Sequence, residues 1–149
     1  MKKLQVSTVL THTTLSLLLC CAAGIASGAT ETKGAAILDH PCGKVAAKHM
    51  SLVHAGKMEE ANKLTTKEMQ EQWKAMPAKD RTMMMGMAKD MSESEAQFAA
   101  NVKANGTLTV DGQTAKLVVK KTTKEASGSS TSTQTQNYQI NGNECLISR

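Results

Sequence analysis

Apolar positions along the chain repeat with two different periods, and the change falls near residue 92. Val45, Ala46, Met50 and Val53, with Ala47 more weakly, recur at three- and four-residue steps, the spacing of one helix face. Asp39 suits the cap of this helix, Pro41 suits its first turn, and Gly56 stands where a left-handed residue closes a helix. A shorter helix over Lys57 to Leu64 buries Met58, Ala61 and Leu64. Thr65 and Glu68 match a capping box for a third helix, which carries Met69, Trp73 and Met76 on one side and stops at Pro77. Asp80 caps a fourth, in which Met84, Met87, Ala88 and Met91 fall at i, i+3, i+4 and i+7.

Beyond residue 92 the period shortens to two. Phe98, Ala100 and Val102 alternate, and Asn105-Gly106 signals a turn. Leu108 and Val110 alternate up to Asp111-Gly112, a dipeptide that tight hairpins prefer. Ala115, Leu117 and Val119 form the next inward face, with Lys116 and Lys120 pointing away. Residues 125–132 are polar and low in complexity, which fits a mobile hairpin tip. Tyr138 and Ile140 resume the alternation, Asn141-Gly142 turns the chain, and Cys145 and Ile147 share the last face. Helices followed by hairpin-linked strands predict an α+β domain, with N-terminal helices packed on a C-terminal antiparallel sheet.

The start of the chain changes where that domain begins. Lys2 and Lys3, an apolar run from Leu15 to Ile25, and small residues at Ser27 and Ala29 form the tripartite pattern of a cleavable signal peptide over residues 1–29. The apolar run is about half the ~20 residues that span a bilayer, so no membrane helix is expected in the mature form. Residues 30–41 read as a flexible lead-in and 42–149 as one domain. The compartment expected is periplasmic or secreted. Acylation at Cys20 or Cys21 is the alternative, disfavoured because Leu19 and Cys20 precede them where a lipoprotein peptidase takes a small residue.

Removing the leader alters both charge and cysteine content. Without Lys2 and Lys3, 16 of the 18 basic residues face 13 acidic ones, so the net charge falls from +5 to +3. No basic stripe with interleaved aromatics appears, which argues against nucleic acid as a partner. Cys42 and Cys145 remain, and an even pair in an exported chain reads as a disulfide, with two free thiols as the alternative. No Cys-x-x-Cys supports redox catalysis. The bridge would tie the first mature helix to the last strand across a loop of roughly 100 residues, which loop-closure entropy values at about 4–5 kcal/mol.

Three stretches carry a resemblance: Met50-Ser-Leu-Val-His-Ala-Gly-Lys-Met-Glu-Glu-Ala61, Val110-Asp-Gly-Gln-Thr-Ala-Lys-Leu-Val-Val119 and Tyr138-Gln-Ile-Asn-Gly-Asn-Glu-Cys-Leu-Ile147. With the order of elements, they resemble the nuclear-transport-factor-2-like superfamily, and within it small exported bacterial proteins of unknown function. The resemblance implies a cone-like fold, in which a strongly bent sheet of about four strands wraps the N-terminal helices. It carries over no catalytic residue, because the superfamily holds enzymes, binding modules and adaptors.

Candidate chemistry centres on Met83, Met84, Met85, Met87 and Met91. Thioethers are soft donors suited to Cu(I), and Met50, His54 and Met58 would add a second soft row if their helix ran through Gly56. Aromatics, however, make up only 2% of the chain, so methionine is also the natural core filler. On that reading Met84, Met87 and Met91 are core, and Met83 and Met85 lie off the stripe. His40, His49 and His54 form no His-x3-His pair, which argues against zinc; His49 is expected to face solvent and His54 to lie at a helix end. A cone-fold isomerase or dehydratase would need an acid or base inside the cone, and Asp90 and His54 are the candidates. Few ionisable groups fall at inward strand positions. The sequence therefore favours a noncatalytic envelope module for a small apolar ligand or a protein partner, with no cofactor, over the Cu(I) and enzyme readings.

Overall fold

The computed structural model describes residues 28–125 and 128–149. The leader through Ser27, including Cys20 and Cys21, lies outside them. Among the described residues the fold is α+β: five helices and a 3-10 turn accompany one open antiparallel sheet of five strands in the order β1-β2-β3-β4-β5.

The segment expected as a flexible lead-in is part of this fold. Strand β1, Thr30–Lys33, pairs with β2, Gly106–Asp111, in the register Thr30↔Val110 to Lys33↔Thr107. A 3-10 helix, Gly34–Asp39, follows and sends Ile37 fully into the core. Hence there are five strands where about four are expected. The added one has no apolar residue and is held by backbone pairing alone.

Helix α1, Pro41–His54, begins with proline at its first position, where the missing N–H has no intrahelical partner to lose. His40 rather than Asp39 caps it, its Nδ1 accepting from the Cys42 N–H at 3.1 Å. At the other end Gly56, with φ 73°, closes a Schellman motif: the Gly56 N–H donates to Val53 O and the Lys57 N–H to Leu52 O. Gly43 sits under the 3-10 helix, and a Cβ there would collide with the Ile37 carbonyl.

Helices α2, Met58–Asn62, and α3, Lys67–Ala75, follow. The expected Thr65 capping box is absent. Thr66 is the cap residue of α3, while buried Thr65 turns its hydroxyl back to the Asn62 carbonyl at 2.7 Å. The same stretch shields the sheet edge, because the Thr66 N–H donates to Ile147 O and the Ile147 N–H to Leu64 O. Helix α4, Ala78–Met91, is preceded by Pro77 as cap, so Asp80 lies inside it.

The alternation at Phe98, Ala100 and Val102 is not a strand. It belongs to helix α5, Glu95–Asn105, whose capping box is formed by Ser94 and Gln97. Phe98 and Val102 are four apart, which satisfies a helix as well as a strand, and both are buried. The low-complexity stretch read as a hairpin tip is paired at its described residues: β3, Thr114–Glu125, and β4, Gly128–Asn141, pair from Thr114↔Gln139 through Glu125↔Gly128, and residues 126–127 between them lie outside the described residues. Strand β5, Glu144–Ser148, closes the order. As expected, Gly112 and Gly142 take positive φ in the short loops joining β2 to β3 and β4 to β5.

Cys42 and Cys145 form the expected disulfide, with their Cα atoms 5.0 Å apart and their positions 103 apart in sequence. Both are buried in one core with Ala46, Phe98, Leu117, Val119, Tyr138 and Ile147. No helix among the described residues is long and apolar enough to cross a membrane.

Candidate functional site

The inward row of β3 grades from apolar to charged. Ala115, Leu117 and Val119 are buried, and two residues further on the alternation places Lys121. Its partner β4 supplies Tyr138, Gln136, Gln134 and Ser132 opposite them, in the pairs Ala115↔Tyr138, Leu117↔Gln136, Val119↔Gln134 and Lys121↔Ser132. Helix α1 lies over this face because Cys42, Ala46, His49 and Val53 recur at i, i+4, i+7 and i+11, with Cys42 bonded to Cys145 on β5.

Where α1 meets the graded end of the sheet, it encloses a cavity of about 20 Å³ lined by residues including Ala46, His49, Phe98, Gln134, Tyr138 and Ile147. That volume holds about one water or one polar ligand group. His49, Met50, Gln134 and Gln136 also line a cleft of about 400 Å³, completed by Val53, Ala88, Met91, Glu93 and Lys121. Cavity and cleft thus share four lining residues, the cavity being the more closed end of the pair.

Two residues that line the cavity carry polar atoms, Tyr138 Oη and Gln134 Oε1, that are buried with no hydrogen-bond partner among the described residues. An orphaned buried polar group costs about 1–3 kcal/mol, so such a pair calls for a bound group to satisfy it. Burial raises the Tyr138 hydroxyl well above its ordinary pKa and keeps it a neutral donor. Desolvation lowers the His49 pKa, so its imidazole is neutral near pH 7 and offers one donor and one acceptor. Together these groups can hold a hydroxyl or carbonyl against an apolar floor.

The rim is fixed by a small ionic cluster. Lys121 Nζ pairs with Glu93, and the Asn101 Nδ2 donates to both Glu93 carboxylate oxygens at 3.1 Å. Lys121 and Glu93 are both largely covered, so the pair pins the β3–β4 ribbon to the α4–α5 junction.

The expected site residues are distributed differently. His49 lines the cavity instead of facing solvent, and its seven-residue step from Cys42 along the buried stripe was the signal. Gln134 and Gln136 follow from extending the phase of Tyr138 and Ile140 back along β4. His54 is exposed at the end of α1, its Nδ1 3.3 Å from Ser92 Oγ, and Asp90 is exposed on α4; neither lines the cavity. His40 is a helix cap, and the helix break at Gly56 separates Met58 from Met50 and His54. The methionine run is inverted: half-buried Met85 faces inward, while Met83, Met84, Met87 and Met91 are exposed. No group of three His, Cys, Asp or Glu side chains suited to a metal occurs among the described residues. The chain matches no protein-family model, no curated protein and no solved structure.

Proposed function

We propose that this protein is an exported, noncatalytic binding module of the bacterial envelope, taking a small, largely apolar ligand that carries one hydroxyl or carbonyl. Its apolar body lies in the cleft between α1, α4 and the β3–β4 ribbon, and its polar group reaches Tyr138, Gln134 and His49. The observation carrying this reading is the orphaned pair Tyr138 Oη and Gln134 Oε1, on two residues that line an apolar cavity. Cleft size agrees, since sites for small molecules run from about 300 to 1,000 Å³. The buried Cys42–Cys145 bridge supports an oxidising compartment, and β1 begins directly after the proposed cut at Ala29. Kinship with the nuclear-transport-factor-2-like superfamily, with the sheet bent as part of a cone about α1 and α5, belongs to the same reading.

A titration with 2-naphthol followed by NMR tests it. Shifts are expected at His49, Met50, Gln134, Gln136 and Tyr138, and Tyr138→Phe should weaken binding about tenfold, the worth of one buried hydrogen bond. Shifts confined to other surfaces, or an unchanged affinity in Tyr138→Phe, would refute the site.

A second reading, an isomerase or dehydratase, is favoured by one observation: neutral His49 and the Tyr138 hydroxyl share a cavity, as a base and an acid would. Incubating the protein with a β-hydroxyketone and following loss of water separates the two. Turnover abolished by His49→Gln with binding retained would establish catalysis, and binding without turnover supports the module.

A further inference from the structure

Helix α4 presents four exposed methionines and buries no residue. Met83, Met84, Met87 and Met91 are 61%, 45%, 56% and 80% exposed. Single exposed apolar side chains are ordinary, but four on one helix of 14 residues are a patch that needs an account. At 100° per residue all four fall within an arc of about 100°. Met87 is the centre of the row, four residues from Met83 and Met91 and three from Met84. Such neighbours have Cβ atoms about 5–6 Å apart, within the joint reach of two unbranched thioether arms.

The surroundings favour a cation. Asp80 lies one turn before Met84, and Asp90 lies three residues after Met87. Of the positive charges on α4, Arg81 and Lys89 turn toward α1 and α2, Arg81 approaching Glu59 at 3.9 Å and the Lys89 side chain packing beside Gly56, while Lys79 is exposed one turn before Met83. Gly86 lies within the continuous helix, and no close packing requires a glycine there, because a Cβ would meet nothing. Its missing side chain leaves room beside Met83 and Met87.

We propose that this row is a binding site for a soft monovalent cation, Cu(I) or its redox-inert analogue Ag(I), held by the sulfurs of Met84, Met87 and Met91 with Met83 as a fourth donor. Soft thioethers select Cu(I) over Zn(II), Mg(II) and Ca(II). In a disulfide-forming compartment they have an advantage over thiols, which would pair and leave the metal. Binding displaces no proton, because a thioether carries none, and no electron is transferred.

The test uses the disulfide-bonded protein under anaerobic conditions, titrated with Cu(I) against a chromophoric chelator, and with Ag(I) while the methionine methyl signals are followed by NMR. One ion should bind with micromolar or tighter affinity, nearly constant from about pH 5 to 8, because the donors have no pKa there. Signals of Met83, Met84, Met87 and Met91 should move, and those of Met50 and Met69 should not. The triple variant Met84→Leu, Met87→Leu and Met91→Leu keeps the apolar surface and removes the sulfur; it should lose at least about a hundredfold in affinity with an unchanged fold by circular dichroism. Millimolar or weaker binding, undiminished binding by the triple variant, or movement centred on Met50 and His49 with a loss below pH 6.5 would each overturn the site.

Discussion

Helices α1 and α4 are both 14 residues long and both carry apolar residues at helical spacing, yet one belongs to the core and the other does not. Helix α1 has a side-chain cap, a proline at its first position and a Schellman close, and it buries Cys42, Gly43, Ala46 and Val53. Helix α4 has no side-chain cap and no buried residue, and it carries an exposed glycine at position 86. Apolar periodicity alone does not separate them; capping and small residues do. Where a helix must pack closely, as at Gly43, it uses glycine and alanine. Where it keeps large flexible side chains in solvent, its stability is not what the methionines serve.

The largest expected effect tests the anchored helix. Cys145→Ser removes a cross-link over 103 residues and should cost about 4–5 kcal/mol, lowering the melting temperature by roughly 15 °C. An unchanged melting temperature in the variant, or in the wild type with reductant, would mean that the bridge does not anchor α1. Next comes Gly43→Ala. Its Cβ meets a backbone carbonyl rather than a yielding side chain, so a loss of about 3 kcal/mol in denaturant unfolding is expected. The matching change in α4, Gly86→Ala, meets no neighbour and should instead stabilise by up to about 1 kcal/mol. Equal effects at the two glycines would erase the distinction between the helices.

The same contrast marks what could be read from the chain. Pro41, Gly56, the two glycine turns and the cysteine pair carried their meaning locally, because each rests on backbone geometry or covalent chemistry. Strand β1 did not: Thr30–Lys33 has no apolar face, and only its distant partner β2 makes it a strand. Helix α5 was disguised because Phe98 and Val102 fit both periods, although Ser94 and Gln97 held the capping box that decides between them. In α4, Met84, Met87, Ala88 and Met91 form a helical stripe, but so do Arg81, Met85, Ala88 and Ser92. The second stripe faces inward, and only tertiary contacts reveal which. The site was half visible: His49 lay on the buried stripe of α1, while Gln134 and Gln136 lacked the hydrophobic mark of an inward strand position.

Smaller effects separate the closed end of the site from the rest of the core. Tyr138→Phe removes a hydroxyl that has no partner among the described residues, so stability should be unchanged or rise by up to about 1 kcal/mol, even as ligand binding weakens. A loss of more than about 2 kcal/mol would show that the hydroxyl is satisfied in the folded protein. Protonation probes the same place. The folded His49 pKa lies below the ordinary histidine value of 6.5, so the unfolded chain binds more protons between the two values. Its contribution is therefore fully present above pH 6.5 and declines as pH falls toward the folded pKa. His40, also lowered by burial, adds in the same direction. Denaturant midpoints measured from about pH 7.5 to 5 should fall, and His49→Gln should flatten part of that slope. A variant with the wild-type slope would place His49 in solvent.

The smallest expected change in stability carries the sharpest functional contrast. Met87→Leu alters a side chain that is 56% exposed and conserves its apolar volume, so folding should change by no more than about 0.5 kcal/mol. The corresponding exchange in α1, Met50→Leu, alters a half-buried side chain on the wall of the cleft and should be felt by a ligand bound there. If α4 serves through sulfur, Met87→Leu diminishes Cu(I) affinity while leaving 2-naphthol binding intact, and Met50→Leu does the reverse. Two variants differing only in which helix loses a sulfur would then disable two different sites. A single site affected equally by both would join the cleft and the methionine row into one, and the row would have no role beyond the cleft wall to which Ala88 and Met91 already belong.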